Sequence, residues 1–184
     1  MLIFNLLFIL SCNKKQSDWN LAYFDDGISR KDSIKIMNAL YDPKEFYEDS
    51  MSLNKNTSFV IYDNDYHENI CKAEMINDTL RINFGYSTGF SSTGFNVQYI
   101  DKKYKIIPYY SSDNIAIFVD ENGNEIQEKR SKYFFNNQKL ILDKANYKKG
   151  DSIYGYINFS SLEVGENQKN INHSGKGYFR TKIQ

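Results

Sequence analysis

Apolar and polar residues alternate one for one over most of the chain beyond Thr57. Leu80, Ile82, Phe84 and Tyr86 alternate with Arg81, Asn83 and Gly85, and Phe95, Val97 and Tyr99 alternate with Asn96 and Gln98. Ile115, Ile117 and Val119 continue the pattern, as do Ile153, Ile157 and Phe159 against Tyr154, Tyr156 and Asn158. A period of two turns one set of side chains inward and the other outward, which predicts half-buried strands. Turn signals separate them: Asn77-Asp78, Asp101-Lys102, Asn122-Gly123 and Lys149-Gly150. About nine strands at short, even spacing predict a mainly β fold, an antiparallel two-sheet sandwich. Pro108 lacks an N–H donor, so its strand, Tyr104 to Tyr110, belongs at an edge or bulge.

Earlier in the chain the period changes. Ile34, Met37, Leu40 and Tyr41 recur at three- and four-residue spacing, predicting one N-terminal helix over Ser29 to Tyr41, with Ser29 as its cap and Asp32 in its first turn. Asp42-Pro43 stops it and offers a short second turn through Tyr47. This helix should cover one end or edge of a sheet. Residues 12–28 show no clear period and read as a tether that begins to dock at Trp19 to Phe24. That leaves 29–184 as a single sandwich domain.

Leu2 to Leu10 is apolar except for Asn5, and the chain turns polar directly after Ser11 and Cys12. Nine helical residues rise about 1.5 Å each and cannot cross a core of roughly 30 Å, so residues 1–11 read as a signal peptide rather than a span. Ile9-Leu10-Ser11-Cys12 resembles the lipobox of bacterial lipoproteins. That resemblance implies cleavage before Cys12 and acylation of its sulfur and new amino end. Each buried methylene contributes about 0.8 kcal/mol, so two or three chains anchor firmly to a membrane. The run Ser11-Cys12-Asn13-Lys14-Lys15, in a chain rich in Asn, Lys, Ile and Tyr, is similar to lipoproteins of the Bacteroidota. It implies a bacterial envelope location, in the outer membrane, with the periplasmic and surface faces both open.

Lys plus Arg and Asp plus Glu both number 23. A formally neutral chain argues against nucleic acid, which selects a basic excess. The 13 Phe and 15 Tyr supply ample area for a core. With Cys12 acylated, Cys71 has no disulfide partner and reads as a small apolar core residue on a strand. Leu142 to Phe159 (LDKANYKKGDSIYGYINF) resembles the opening hairpin of immunoglobulin-like and macroglobulin-like sandwich domains. The resemblance supports the sandwich and implies no functional residue.

Candidate chemistry is sparse. His67 and His173 are the only histidines, and His67 with Cys71 gives two ligands at most, so no metal or other cofactor is expected. Asp120 to Glu125 has the oxygen-rich look of a calcium loop, but the position for the bidentate Glu holds Ser131, which favours a hairpin on Asn122-Gly123. Cys71 beside His67 and Asp65 or Glu68 lacks the cation or helix N-terminus that would activate a thiol, and no catalytic residue emerges. In Gly85 to Phe95 (GYSTGFSSTGF) the tetrapeptide Ser-Thr-Gly-Phe occurs twice. Without a Lys it cradles no phosphate. Either it exposes Tyr86 and Phe90 to a ligand such as a sugar ring, joined by Phe95, Tyr109 and Tyr110, or its phenylalanines fold back on the core. Four sites, Ser33, Ser50, Thr79 and Ser152, each follow Asp and precede an apolar residue. They resemble the O-glycosylation sequon of Bacteroidota envelope proteins. The expected function is a lipid-anchored, non-catalytic binding or assembly module for an envelope protein or glycan. The alternative is an anchored hydrolase of glycans or peptides, which needs two carboxylates about 5 to 9 Å apart.

Overall fold

The computed structural model describes residues 19–40, 57–58, 61–62, 70–87, 89–112, 131–165 and 170–184. The predicted leader, Cys12, Ser50, His67, the turn predicted after Pro43, the strand predicted at Ile115 to Val119 and the turn predicted at Asn122-Gly123 lie outside the described residues, as does the Tyr86 side chain.

Two sheets face each other. The first has the order β1-β8-β7-β6-β5, from Asn20–Leu21, Lys103–Ser112, Ser91–Ile100, Thr79–Ser87 and Ile70–Ile76. The second has the order β2-β9-β10-β11-β3, from Tyr23–Phe24, Lys132–Leu142, Ser152–Val164, Asn170–Lys182 and Thr57–Ser58, and β4 (Ile61–Tyr62) also pairs with β11. The short β3 and β4 share one register on β11, with Ser58 opposite Phe179 and Ile61 opposite Lys176. Likewise β1 and β2 are successive pieces of one N-terminal segment. Counted that way the described residues form nine strands, antiparallel except where β2 runs parallel to β9.

Both seams between the sheets are tacked rather than zipped. At one, β1 pairs with β8 and β2 with β9, while Ala22 between them packs against the core. At the other, Ile183 bridges Ala73 and the Gln184 amide donates to the Ala73 carbonyl at 3.0 Å. Among the described residues, Asn20–Leu21 and Tyr23–Phe24 are thus paired into the two sheets, within the stretch where the sequence reading has the tether dock. Four residues of strand are too few to show a period, which is why this segment reads as tether in the sequence.

The inward rows meet in an aromatic centre. Phe84 stacks on Phe95 at 4.6 Å, and Phe179 and Phe159 meet them edge-on at 4.8 Å. Room for the latter two comes from glycine: a Cβ on Gly155 would lie 2.2 Å from the Phe179 ring and one on Gly175 2.3 Å from Phe159. Cys71 is fully buried on β5, and burial pushes its thiol well above the usual range, so it is an inert core residue. Asn77-Asp78 and Asp101-Lys102 have positive φ at both residues, the geometry of tight hairpins matched to strand twist. Pro108 faces inward on β8, which among the described residues is an edge strand beyond Tyr104, where its missing N–H costs no ladder bond.

The helix α1 spans Asp32–Leu40, with Ile34 and Met37 fully buried as the spacing predicts. Ser29 is not its cap. It lies inside a preceding 3-10 turn, Ile28–Arg30, which ends at the extended Lys31. Ile28 is buried beside β10, and Arg180 of β11 donates to the Met37 carbonyl at 3.4 Å. Turn and helix thus cover the outward side of the second sheet.

Candidate functional site

The outward side of the first sheet is the opposite case. Strict alternation puts three rows of side chains across its four long strands. One row runs Lys72, Asn83, Asn96, Ile107; the next runs Glu74, Arg81, Gln98, Lys105; on the other flank lie Gly85, Gly94 and Tyr109. The first two rows apart from Lys105, with Gln184, border a concavity of about 440 Å³. Seven of its nine lining residues are polar or charged, because the apolar half of each strand is already spent on the core.

The amides are organised. Asn83 donates from Nδ2 to Asn96 Oδ1 at 2.7 Å, and the Tyr109 hydroxyl stands 3.4 Å from both amide atoms of Asn83. Tyr109 reaches this far because Gly94 is its neighbour on β7 and Gly85 the next residue across; a Cβ on Gly85 would lie 2.3 Å from its hydroxyl. The glycine pair is therefore a floor on which the ring lies. Asn96 Nδ2 and the Gln98 amide take no partner among the described residues, and neither do Lys72 and Arg81. Fixed amides with spare donors and acceptors, beside two uncommitted cations, suit a polar ligand laid along a face.

The five aromatic candidates are not brought together. Phe95 is a correction: it is fully buried in the aromatic centre and offers nothing to a ligand, because its position on β7 has inward parity. Tyr109 lies on the outer face beside the groove, its hydroxyl against Asn83. Phe90, 79 % exposed beside Gly89, and Tyr110, 72 % exposed, stand instead at the end of the sandwich where β6 turns into β7. Most of the GYSTGFSSTGF stretch is paired strand, Gly85 opposite Gly94, rather than a loose connection. Thr79 and Ser152 open β6 and β10, and Ser33 lies in the first turn of α1. The groove residues Arg81, Asn83, Asn96 and Gln98 are missed by motif reading. Their signal is the polar half of the alternation itself, two strands carrying amides or guanidinium where Ser, Thr or Lys would serve solubility equally well.

A second polar cluster sits between the sheets at the end near Phe90. His173 Nε2 and Glu163 Oε2 are 2.7 Å apart, mostly buried, and the Tyr133 ring lies 6.1 Å from His173. Burial pushes the Glu163 carboxyl up, but hydrogen bonds from Ser131, His173 and Tyr133 outweigh it and hold the group below its usual range. Burial, then Glu163, raises the Tyr133 hydroxyl. This His173 is a structural partner of Glu163; no group of three metal-ligating side chains occurs among the described residues. At the opposite end Tyr147 donates to Asp143 Oδ1 at 2.7 Å, which also accepts from the Tyr154 amide, and burial followed by Asp143 raises the Tyr147 hydroxyl strongly.

The hydrolase alternative calls for a carboxylate pair, and the groove lining contains Glu74 alone. Among the described residues no helix is long and apolar enough to cross a membrane. Comparison with family models, characterised proteins and solved structures gave no match, so any functional reading rests on sequence and geometry.

Proposed function

We propose that this is a lipid-anchored protein of the bacterial outer membrane whose sandwich binds a glycan on the outer face of its first sheet. The anchor reading rests on the lipobox-like Ile9-Leu10-Ser11-Cys12 and the abrupt polarity change after it. One observation carries the glycan reading: the amide rail Asn83–Asn96–Gln98 lies in an open concavity with Tyr109 at its flank. Sugars present rings edged with hydroxyls, each both donor and acceptor, and amides match that pattern without demanding charge. The groove crosses the faces of paired strands, where backbone groups are already used in the ladders. An extended peptide seeking main-chain partners would find few there.

Two measurements test this reading. Growth of the host with labelled palmitate should label the protein, and Cys12→Ser should abolish the label. The mature protein in detergent should retain a subset of saccharides on a glycan array, and the double variant Asn83→Ala, Asn96→Ala should lose them while keeping its circular dichroism spectrum. Retention of a protein partner with no saccharide bound would reverse the glycan assignment.

A further inference from the structure

We infer that the groove selects an acidic saccharide, one bearing ring carboxylates, and that Arg81 is the residue that reads the acid. This rests on the glycan reading above and adds the class of sugar. Arg81 is exposed at the centre of its row, between Glu74 of β5 and Gln98 of β7. It closes no ion pair or hydrogen bond with any described residue, although Glu74 is its direct neighbour across the strands. Lys72, on the adjacent row and also bordering the concavity, is likewise uncommitted.

A guanidinium held on a rigid strand presents a planar fork that matches a carboxylate bidentately, a geometry a hydrated ammonium does not reproduce. Next to it the Gln98 amide and the Asn83–Asn96 pair supply neutral donors and acceptors for ring hydroxyls. Glu74 sets the other limit. A carboxylate inside the groove repels a densely charged polymer, whereas a saccharide with one acid per ring can place its carboxylate on Arg81 and its hydroxyls elsewhere. Two cations, one carboxylate side chain and four amides therefore describe a site for a sparse anion, not for a nucleic acid or a heavily sulfated chain.

The test is calorimetric titration of the intact mature protein in detergent with three probes: a galacturonic acid oligosaccharide, its fully methyl-esterified form and polyglutamate. The free acid should bind, the ester should bind at least about tenfold more weakly, and Arg81→Gln should weaken the acid by a similar factor while leaving the ester unchanged. Lys72→Gln should weaken the acid less, because a point charge is lost without a bidentate contact. Both side chains are exposed, so thermal melts of the variants should superimpose on the parent. If acid and ester bind equally and Arg81→Gln changes neither, acid selection is wrong although a glycan site survives. Polyglutamate binding as tightly as the uronate would overturn the inference in favour of acidic peptide. Silence from both saccharides would remove the glycan reading with it.

Discussion

The two sheets of this sandwich use their outer faces in opposite ways. On the second sheet a 3-10 turn and α1 lie over β10 and β11, burying Ile28, Ile34 and Met37. On the first sheet the described residues leave the outer face open, and it carries an amide rail, two uncommitted cations and a tyrosine on a glycine floor. Both sheets need an inward apolar face to fold; only one needs a covered outer face. On the proposed glycan reading, stability and recognition would be divided between surfaces, the polar groups unsuited to a core being kept on the open face.

The division makes graded predictions. The largest concerns the covered face. Met37→Ala should cost about 2–5 kcal/mol of unfolding free energy by the usual penalty for a vacated core position, measured by denaturant titration, with saccharide affinity of the folded fraction unchanged. A loss of affinity at unchanged stability would mean that the two faces are not separate.

Gly94→Ala comes next. Its Cβ would fall 2.0 Å from the Phe84 carbonyl oxygen and 2.7 Å from Gly85 Cα, contacts that backbone must move to relieve. Such overpacking should cost about 1–3 kcal/mol and, unlike Met37→Ala, should also weaken binding by lifting Tyr109 off its floor. Asn96→Ala removes one hydrogen bond from a partly exposed pair and should cost about 0.5–1.5 kcal/mol in stability, with its main effect on affinity.

Acid sharpens the comparison from the second sheet. Glu163 is held below its usual range in the folded protein, so its contribution to stability is complete above the unfolded carboxylate value and is lost as pH falls through the folded value. Denaturation curves taken through the acid range should therefore show a decline that Glu163→Gln flattens. Smallest of all, Tyr109→Phe deletes a hydroxyl whose contacts are 3.4 Å long and should shift stability by only about a few tenths of a kcal/mol, since the ring remains on Gly85 and Gly94.

What could be read from the chain follows from how many residues vote on each feature. Long strands such as β6, β7 and β10 repeat their period three or four times, and the hairpin turns at Asn77-Asp78 and Asp101-Lys102 carry their own backbone chemistry, so both were legible. The seam strand at residues 20–24 repeats nothing and is defined only by its partners β8 and β9. Phe95 shows the same limit in the site. A glycine-rich neighbourhood suggested exposure, whereas its parity on β7, shared with Val97 and Tyr99, already pointed inward. The groove escaped notice because no motif marks it; Asn83 and Asn96 are thirteen residues apart and become a pair only through the β6–β7 register.

The seam strand also has a mechanical meaning. Because Asn20–Leu21 is stitched to one layer and Tyr23–Phe24 to the other, a pull applied at Trp19 would be shared between both layers at once. Each stitch is only two residues long, so a pull applied at Trp19 is expected to open this segment before the long ladders that hold the groove in shape.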